Sequence, residues 1–294
     1  MSEYRKAARM LTEILSLVLF IYLLIKPAEA GKGVESGISF CIRVIIPSLF
    51  VFLVLSRMFM GALLSACGRS LPLALILTGI VCGFPVGAKI VRQMYENKML
   101  SKKQAEVLIS SSDNASASFI ISFAGANVLG SVKAGFLLLA GKFLSSVFWY
   151  FFLSRTYLNK DERRFAPAGT FPPVTLPEAV KDSARTMADI CASIIFFVTI
   201  SEAVMSFLPP AEVFQGLVRG FFEFSGGIEL CRNMKPVTGY IVTAMLTGWS
   251  GMCVHLQVSI AAGKEIGMKL YLLNRIAECF IMGLFAVLTK SIAF

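Results

Sequence analysis

Apolar residues run in long blocks separated by short polar turns. The blocks cover residues 10–26, 37–60, 71–95, 104–124 and 133–153, then 184–208, 212–231, 236–259 and 268–291. Most are long enough to cross about 30 Å of hydrocarbon as helices. Between the two sets lies a polar, proline-rich stretch from 155 to 181. The pattern predicts an all-α polytopic membrane protein.

The blocks are not uniform. Gly83-Phe84-Pro85-Val86-Gly87-Ala88-Lys89 is a glycine–proline knot ending in a charge, and an altered copy recurs as Glu223-Phe224-Ser225-Gly226-Gly227-Ile228-Glu229. Backbone groups freed by such breaks are tolerated at membrane depth only inside protein or beside a polar cavity. Pro47-Ser48 interrupts block 37–60, and Ser110 to Ser118 form a polar cluster centred on Asp113-Asn114.

The order of blocks repeats, and residues align in that order. Pro47–Arg57 lies over Ala192–Glu202, Gly87 over Gly227, Lys89 over Glu229, and Leu139–Lys142 over Leu272–Arg275. The expected organisation is an N-terminal anchor or uncleaved signal (1–36), a first repeat (37–154), a cytoplasmic linker (155–183) and a second repeat (184–294). Pro27 to Gly31 resembles a signal-peptidase site; either outcome leaves residue 31 outside.

Charge then bears on topology. Arg5, Lys6 and Arg9 precede the first block and predict a cytoplasmic N-terminus. If every block crossed, the Lys98–Lys103 turn and the 155–181 linker, with eight lysines and arginines between them, would lie outside, against the positive-inside rule. Making 37–60 a re-entrant hairpin bent at Pro47-Ser48 moves both to the cytoplasm and inverts the second half, whose hairpin is 184–208. The expected architecture is two inverted repeats, each with a re-entrant hairpin and a broken helix, giving about seven crossings plus two hairpins, a common plan of secondary transporters.

Composition agrees with a membrane protein: 56% of residues are hydrophobic and 16% charged, where soluble domains carry nearer a quarter charged. The formal net charge of +10 is spread over short loops and forms no single patch, so no nucleic-acid partner is expected. The seven cysteines show no CxxC spacing and read as small buried hydrophobes, so no metal or disulfide framework is expected. No nucleophile–base constellation, phosphate-cradling loop or cofactor motif appears; neither enzyme activity nor a cofactor is expected.

The first knot, with Leu100-Ser101 and the polar cluster after it, resembles the YlbJ-type sporulation integral membrane proteins, as does Gly248-Trp249-Ser250-Gly251-Met252-Cys253-Val254-His255-Leu256-Gln257. These belong to the wider nucleoside-recognition Gate group, which includes concentrative nucleoside transporters and the membrane part of the FeoB iron transporter. The resemblance covers residues 37–290, with a Gate domain in each half. It implies a transporter-like fold, a bacterial inner membrane and a sporulation context.

Polar residues inside apolar blocks are functional candidates by default. Gly83, Pro85, Gly87 and Lys89 of the first knot and Glu223, Ser225, Gly226, Gly227 and Glu229 of the second are expected to contact a small polar solute. Lys89 and Glu229 are either a gating pair or residues snorkelling to the interface. Ser112, Asp113, Asn114 and Ser116 read as a cavity lining or, alternatively, as a small-residue helix interface. His255, with Ser250 and Gln257, either binds ligand or relays protons, or makes a structural hydrogen bond. Arg275 and Glu278 share one face of the last helix and are expected to pair. Expected partners are membrane lipid, the solute with a coupling ion, and a second copy as a homo-oligomer; the rival reading is a scaffold or assembly factor with a transporter fold.

Overall fold

The computed structural model describes the backbone of residues 2–67, 71–165, 174–209 and 211–294, and among these there is helix and turn but no strand. Linker residues 166–173 and the side chains of Arg5, Lys6 and Arg9 lie outside the described residues.

Helix α1 (Ser2–Ile25) meets α2 (Pro27–Phe40) at a bend of 103°. A π-helical segment, Cys41–Ile45, joins α2 to α3 (Ile46–Cys67). Then α4 (Leu71–Cys82) and α5 (Val86–Glu96) flank the first knot. α6 (Lys102–Ser112) breaks at residues 113–116 and resumes as a helix that is π-helical over Phe119–Val128, followed by α7 (Val132–Tyr157). In the second half come α8 (Leu176–Met205), α9 (Glu212–Phe222) and α10 (Phe224–Leu230) around the second knot, α11 (Pro236–Trp249), α12 (Gly251–Ala262) and α13 (Lys269–Ala293).

Among the described residues, α7, α8, α11 with α12, and α13 are each long and apolar enough to cross a membrane, and the bent α1–α2 pair makes a fifth candidate. Large apolar side chains on α7 and α13, such as Phe148, Phe280 and Leu288, face outward. Exposed apolar surface on such helices belongs against lipid tails.

Two expected hairpins are corrected. Residues 37–60 do not turn back: the chain is helical from Pro27 to Cys67, passing through Pro47. A proline disrupts an α-helix by lacking an amide and crowding the carbonyl four residues back. Here the turn before it is π-helical, with the Ile46 amide bonded to the Cys41 carbonyl, and that wider turn accommodates Pro47. Residues 184–208 likewise lie mostly within one 30-residue helix, α8. After Pro177 in its first turn α8 contains no glycine or proline, and a Thr175–Glu178 capping box fixes its start.

The two long helices pack together antiparallel. A Cβ on Gly33 would sit 2.7 Å from the Thr199 Cα, and one on Gly37 2.8 Å from the Ile195 Cα. This is small-xxx-small packing, which lets two backbones approach in lipid.

Polar contacts sort the helix ends onto two faces. On one, Lys103 pairs with Glu162 at 3.7 Å, the Gln104 amide donates to the Glu162 carbonyl at 2.8 Å, and Glu106 accepts from Tyr157 (2.8 Å) and the Gly267 amide (3.1 Å). This basic face holds the α5–α6 turn, the end of α7 and the α12–α13 turn. On the other face Ser131 donates to the Ala293 carbonyl at 3.0 Å, Arg232 to Asn127 at 3.1 Å, and Tyr22 meets Ser206 at 2.9 Å.

The α5–α6 turn and the end of α7 thus share a face opposite the Tyr22–Ser206 contact. At the first knot α4 and α5 double back on each other, with Cβ atoms on Gly79 and Gly87 falling 1.5 Å and 2.9 Å from the same Ser112 carbonyl oxygen. On the opposite face α9–α10 doubles back: a Cβ on Gly227 would lie 2.3 Å from the Gly220 Cα.

Candidate solute site at the helix breaks

Each half brings one broken helix against one doubled-back pair. In the first half the end of α6 lies between the arms of α4 and α5. A Cβ on Gly79 would fall 1.5 Å from the Ser112 carbonyl oxygen, and one on Gly87 2.9 Å from the same atom. Gly83, in the left-handed region with φ +79°, lies against Ser116. In the second half Ser250 and Gly251 break α11 from α12 with φ of +72° and +79°, and a Cβ on Gly251 would lie 2.9 Å from the Phe224 amide nitrogen.

All four breaks meet at one cavity of about 40 Å³, lined by Gly83, Phe84, Ser116, Phe119, Glu223, Phe224, Ser225, Cys253 and Gln257, with Ile45, Leu49, Ile190 and Ile194 from the long helices. Its aromatic wall is Phe84 edge-on to Phe224 at 5.9 Å and Phe119 tilted on Phe224 at 5.0 Å. The space suits ordered water and excludes a larger solute in this conformation.

Glu223 is the buried charge of this cavity, 1% exposed. Its carboxylate caps α10, accepting from the Ser225 amide at 3.0 Å and the Gly226 amide at 2.6 Å. An acid there matches the positive end of the helix dipole. Ser116 caps the resumed helix, accepting from the Phe119 amide at 3.2 Å. Gln257 donates to the Cys253 sulfur at 3.2 Å.

Next to the cavity lies a second polar cluster. Lys142 on α7 donates to Glu278 on α13 at 2.7 Å, and Arg275 lies 2.6 Å from the same carboxylate oxygen. All three side chains are fully buried. Arg275 and Asn274 both donate to the Ser110 carbonyl at the end of α6. Asn114 accepts from Ser146 at 3.0 Å and donates to the Ser111 carbonyl at 3.1 Å, and Ser112 donates to the Leu108 carbonyl. His255 meets the Tyr271 hydroxyl at 3.2 Å, and Tyr271 lies under the Arg275 guanidinium. Gly248 makes this packing possible, since a Cβ there would lie 2.4 Å from the Glu278 carbonyl oxygen.

The expected site residues therefore divide. Gly83, Ser116, Glu223, Ser225 and Gln257 line the cavity. Pro85, Gly87, Gly226, Gly227 and Ser250 shape the breaks beside it. Ser112, Asp113, Asn114 and His255 belong with the adjacent cluster. Lys89 and Glu229 do not meet: Lys89 is half-buried and bonds Thr186 on α8, whereas Glu229 is exposed. A pair across the midplane is not formed, because Lys89 lies one turn along α5 toward the basic face and Glu229 points away from α9. Arg275 and Glu278 do pair, as their spacing required.

Lys142 and the phenylalanines were not among the expected site residues. The signal for Lys142 was a lysine inside an otherwise apolar block, aligned with Arg275 in the other half.

The chain is 22% identical over 318 aligned residues to the sporulation integral membrane protein YlbJ of Bacillus subtilis (strain 168), covering 89% of this chain and 78% of that protein. No family model and no solved structure matches the chain. With the apolar helices, this likeness establishes a helical, multi-pass integral membrane protein.

Proposed function

We propose that the protein is a secondary-transporter-like membrane protein that binds or moves a small polar solute at the meeting of its four helix breaks. The observation that carries this reading is the single cavity lined from both knots and both broken helices, with Glu223 buried in its wall. Broken helices whose ends face a central polar site are how transporters hold solutes within a bilayer. In this reading the halves are inverted repeats, with α4–α5 and α9–α10 as re-entrant pairs entering from opposite faces. Solute entry requires the paired tips at Phe84 and Phe224 to separate.

The basic face is assigned to the cytoplasm by the positive-inside rule, and the membrane to the bacterial inner membrane. The relative's name supports a sporulation role, and the knot resemblance supports kinship with the Gate group. The reading includes no enzyme activity, cofactor or nucleic-acid partner.

The test is a thermal-shift screen of the purified chain against nucleosides and other small polar metabolites. A ligand selective for the native state raises the melting temperature by mass action. The expected result is a hit abolished by Glu223→Gln or Ser116→Ala and matched by uptake into vesicles. The smallness of the cavity favours a second reading, a membrane scaffold or assembly factor that keeps the fold without transport. No hit and no uptake would select the scaffold.

A further inference from the structure

Asp113 stands at the break of α6 with no exposed surface, and neither carboxylate oxygen makes a full hydrogen bond within the protein. Every element packed around it contributes a defined group. The Ala88 amide of α5 faces it from the N-terminal turn of that helix. Lys142 on α7 and Arg275 on α13 are the cations whose fields reach it. Glu278 and Tyr271 on α13 stand beside those cations, and His255 on α12 reaches it only through Tyr271. Helix α4 carries no charged residue.

The charges can be counted. Lys142, Arg275 and Glu278 together leave one uncompensated positive charge, and ionised Asp113 brings the buried group to neutrality. Arg275 retains two nitrogens without partners and Glu278 one oxygen, all buried. Unbalanced buried charge is costly, so the two cations favour ionised Asp113 while its burial and its unpartnered oxygens favour the neutral acid. Asp113 is thus retained by field and by the end of α5, without the hydrogen bonds that usually lock a carboxylate into one charge state.

We propose that Asp113 is a proton-binding site, and that the coupling ion of this protein is a proton. This rests on the transport reading only for the word coupling. Among the described residues no cluster of three metal-ligating side chains stands here, whereas a proton needs no coordination space and forms a neutral carboxylic acid. The step is a single association, carboxylate plus proton giving acid, with the proton drawn from water and returned to it.

The location gives the proton a mechanical consequence. Ionised Asp113 attracts the N-terminal amides of α5, and α5 follows directly from the Gly83-Phe84 tip that lines the cavity. Neutral Asp113 loses that attraction and loosens the tip from α6. Proton occupancy and cavity opening are therefore linked through one contact.

The test is infrared difference spectroscopy of the full chain in lipid vesicles, recorded through a pH titration without solute. A protonated-carboxyl band should grow as pH falls, vanish in Asp113→Asn and return at a shifted position in Asp113→Glu. Should Asp113→Asn not fold, the triple variant D161N/D182N/D189N leaves Asp113 as the sole aspartate. Isotopically labelled aspartate must then shift the band. A band that survives Asp113→Asn, or no labelled-aspartate band at any pH in the triple variant, overturns the assignment. The spectrum is independent of any solute, so failure of the ligand screen would remove transport and leave this result standing.

Discussion

Lys142 and Glu278, 136 positions apart in the chain, form a fully buried ion pair at 2.7 Å. The pair ties the last helix of the first half to the last helix of the second. Arg275 joins the same carboxylate, and its guanidinium also holds the Ser110 carbonyl where α6 ends.

Removing one partner of a buried pair strands the other charge, at a cost of about 3–5 kcal/mol. Glu278→Gln should therefore lower the denaturation midpoint sharply, because it leaves the buried group of Lys142, Arg275 and Asp113 with one uncompensated positive charge. The double variant Lys142→Met with Glu278→Gln should recover part of that loss. Equal stability of Glu278→Gln and the parent in a detergent unfolding titration would contradict the pairing.

Glycine contacts give a sharper contrast. Gly79→Ala puts a methyl 1.5 Å from the Ser112 carbonyl oxygen, and Gly227→Ala puts one 2.3 Å from the Gly220 Cα. Overpacking of this kind costs about 1–3 kcal/mol or more, and both variants should melt earlier and yield less folded protein. Gly31→Ala meets nothing within 4 Å and should be tolerated. Loss of stability in all three alike would show that the close approaches are not what matters.

Sidedness can be read directly. Single cysteines placed at Lys102 and Lys160 should react with an impermeant maleimide from one side of the membrane. Cysteines at Lys133 and Lys235 should react from the other. All four parent residues are exposed, so labelling should not disturb packing. Lys102 and Lys160 labelling from opposite sides would dismantle the shared face of the α5–α6 turn and the end of α7.

The sequence by itself determined the class and the breaks. Long apolar blocks admit only a membrane protein of helices, because lipid cannot satisfy free backbone groups. The Gly83-Phe84-Pro85 knot breaks helix through a left-handed glycine and a proline, both local effects. The polar run through Asp113 was also legible, whereas the break at Ser250-Gly251 was not, since 236–259 reads as one apolar block. The α5–α6 turn was expected beside the start of the linker, and Lys103 and Gln104 do meet Glu162 there.

Tertiary structure alone decided which interruptions reverse the chain. Pro47 and Pro85 look alike as helix breakers, yet a π-turn lets the chain pass Pro47, while Gly83 before Pro85 lets α5 turn back beside α4. It also decided which polar groups meet. Lys89 and Glu229 occupy matching places in the two knots and stay apart, because each knot is directed by its own helix pair. Lys142, Arg275 and Glu278 come together across α7 and α13 because Gly248 admits α13 at backbone contact with α11. That approach depends on packing between distant segments, which no local pattern encodes.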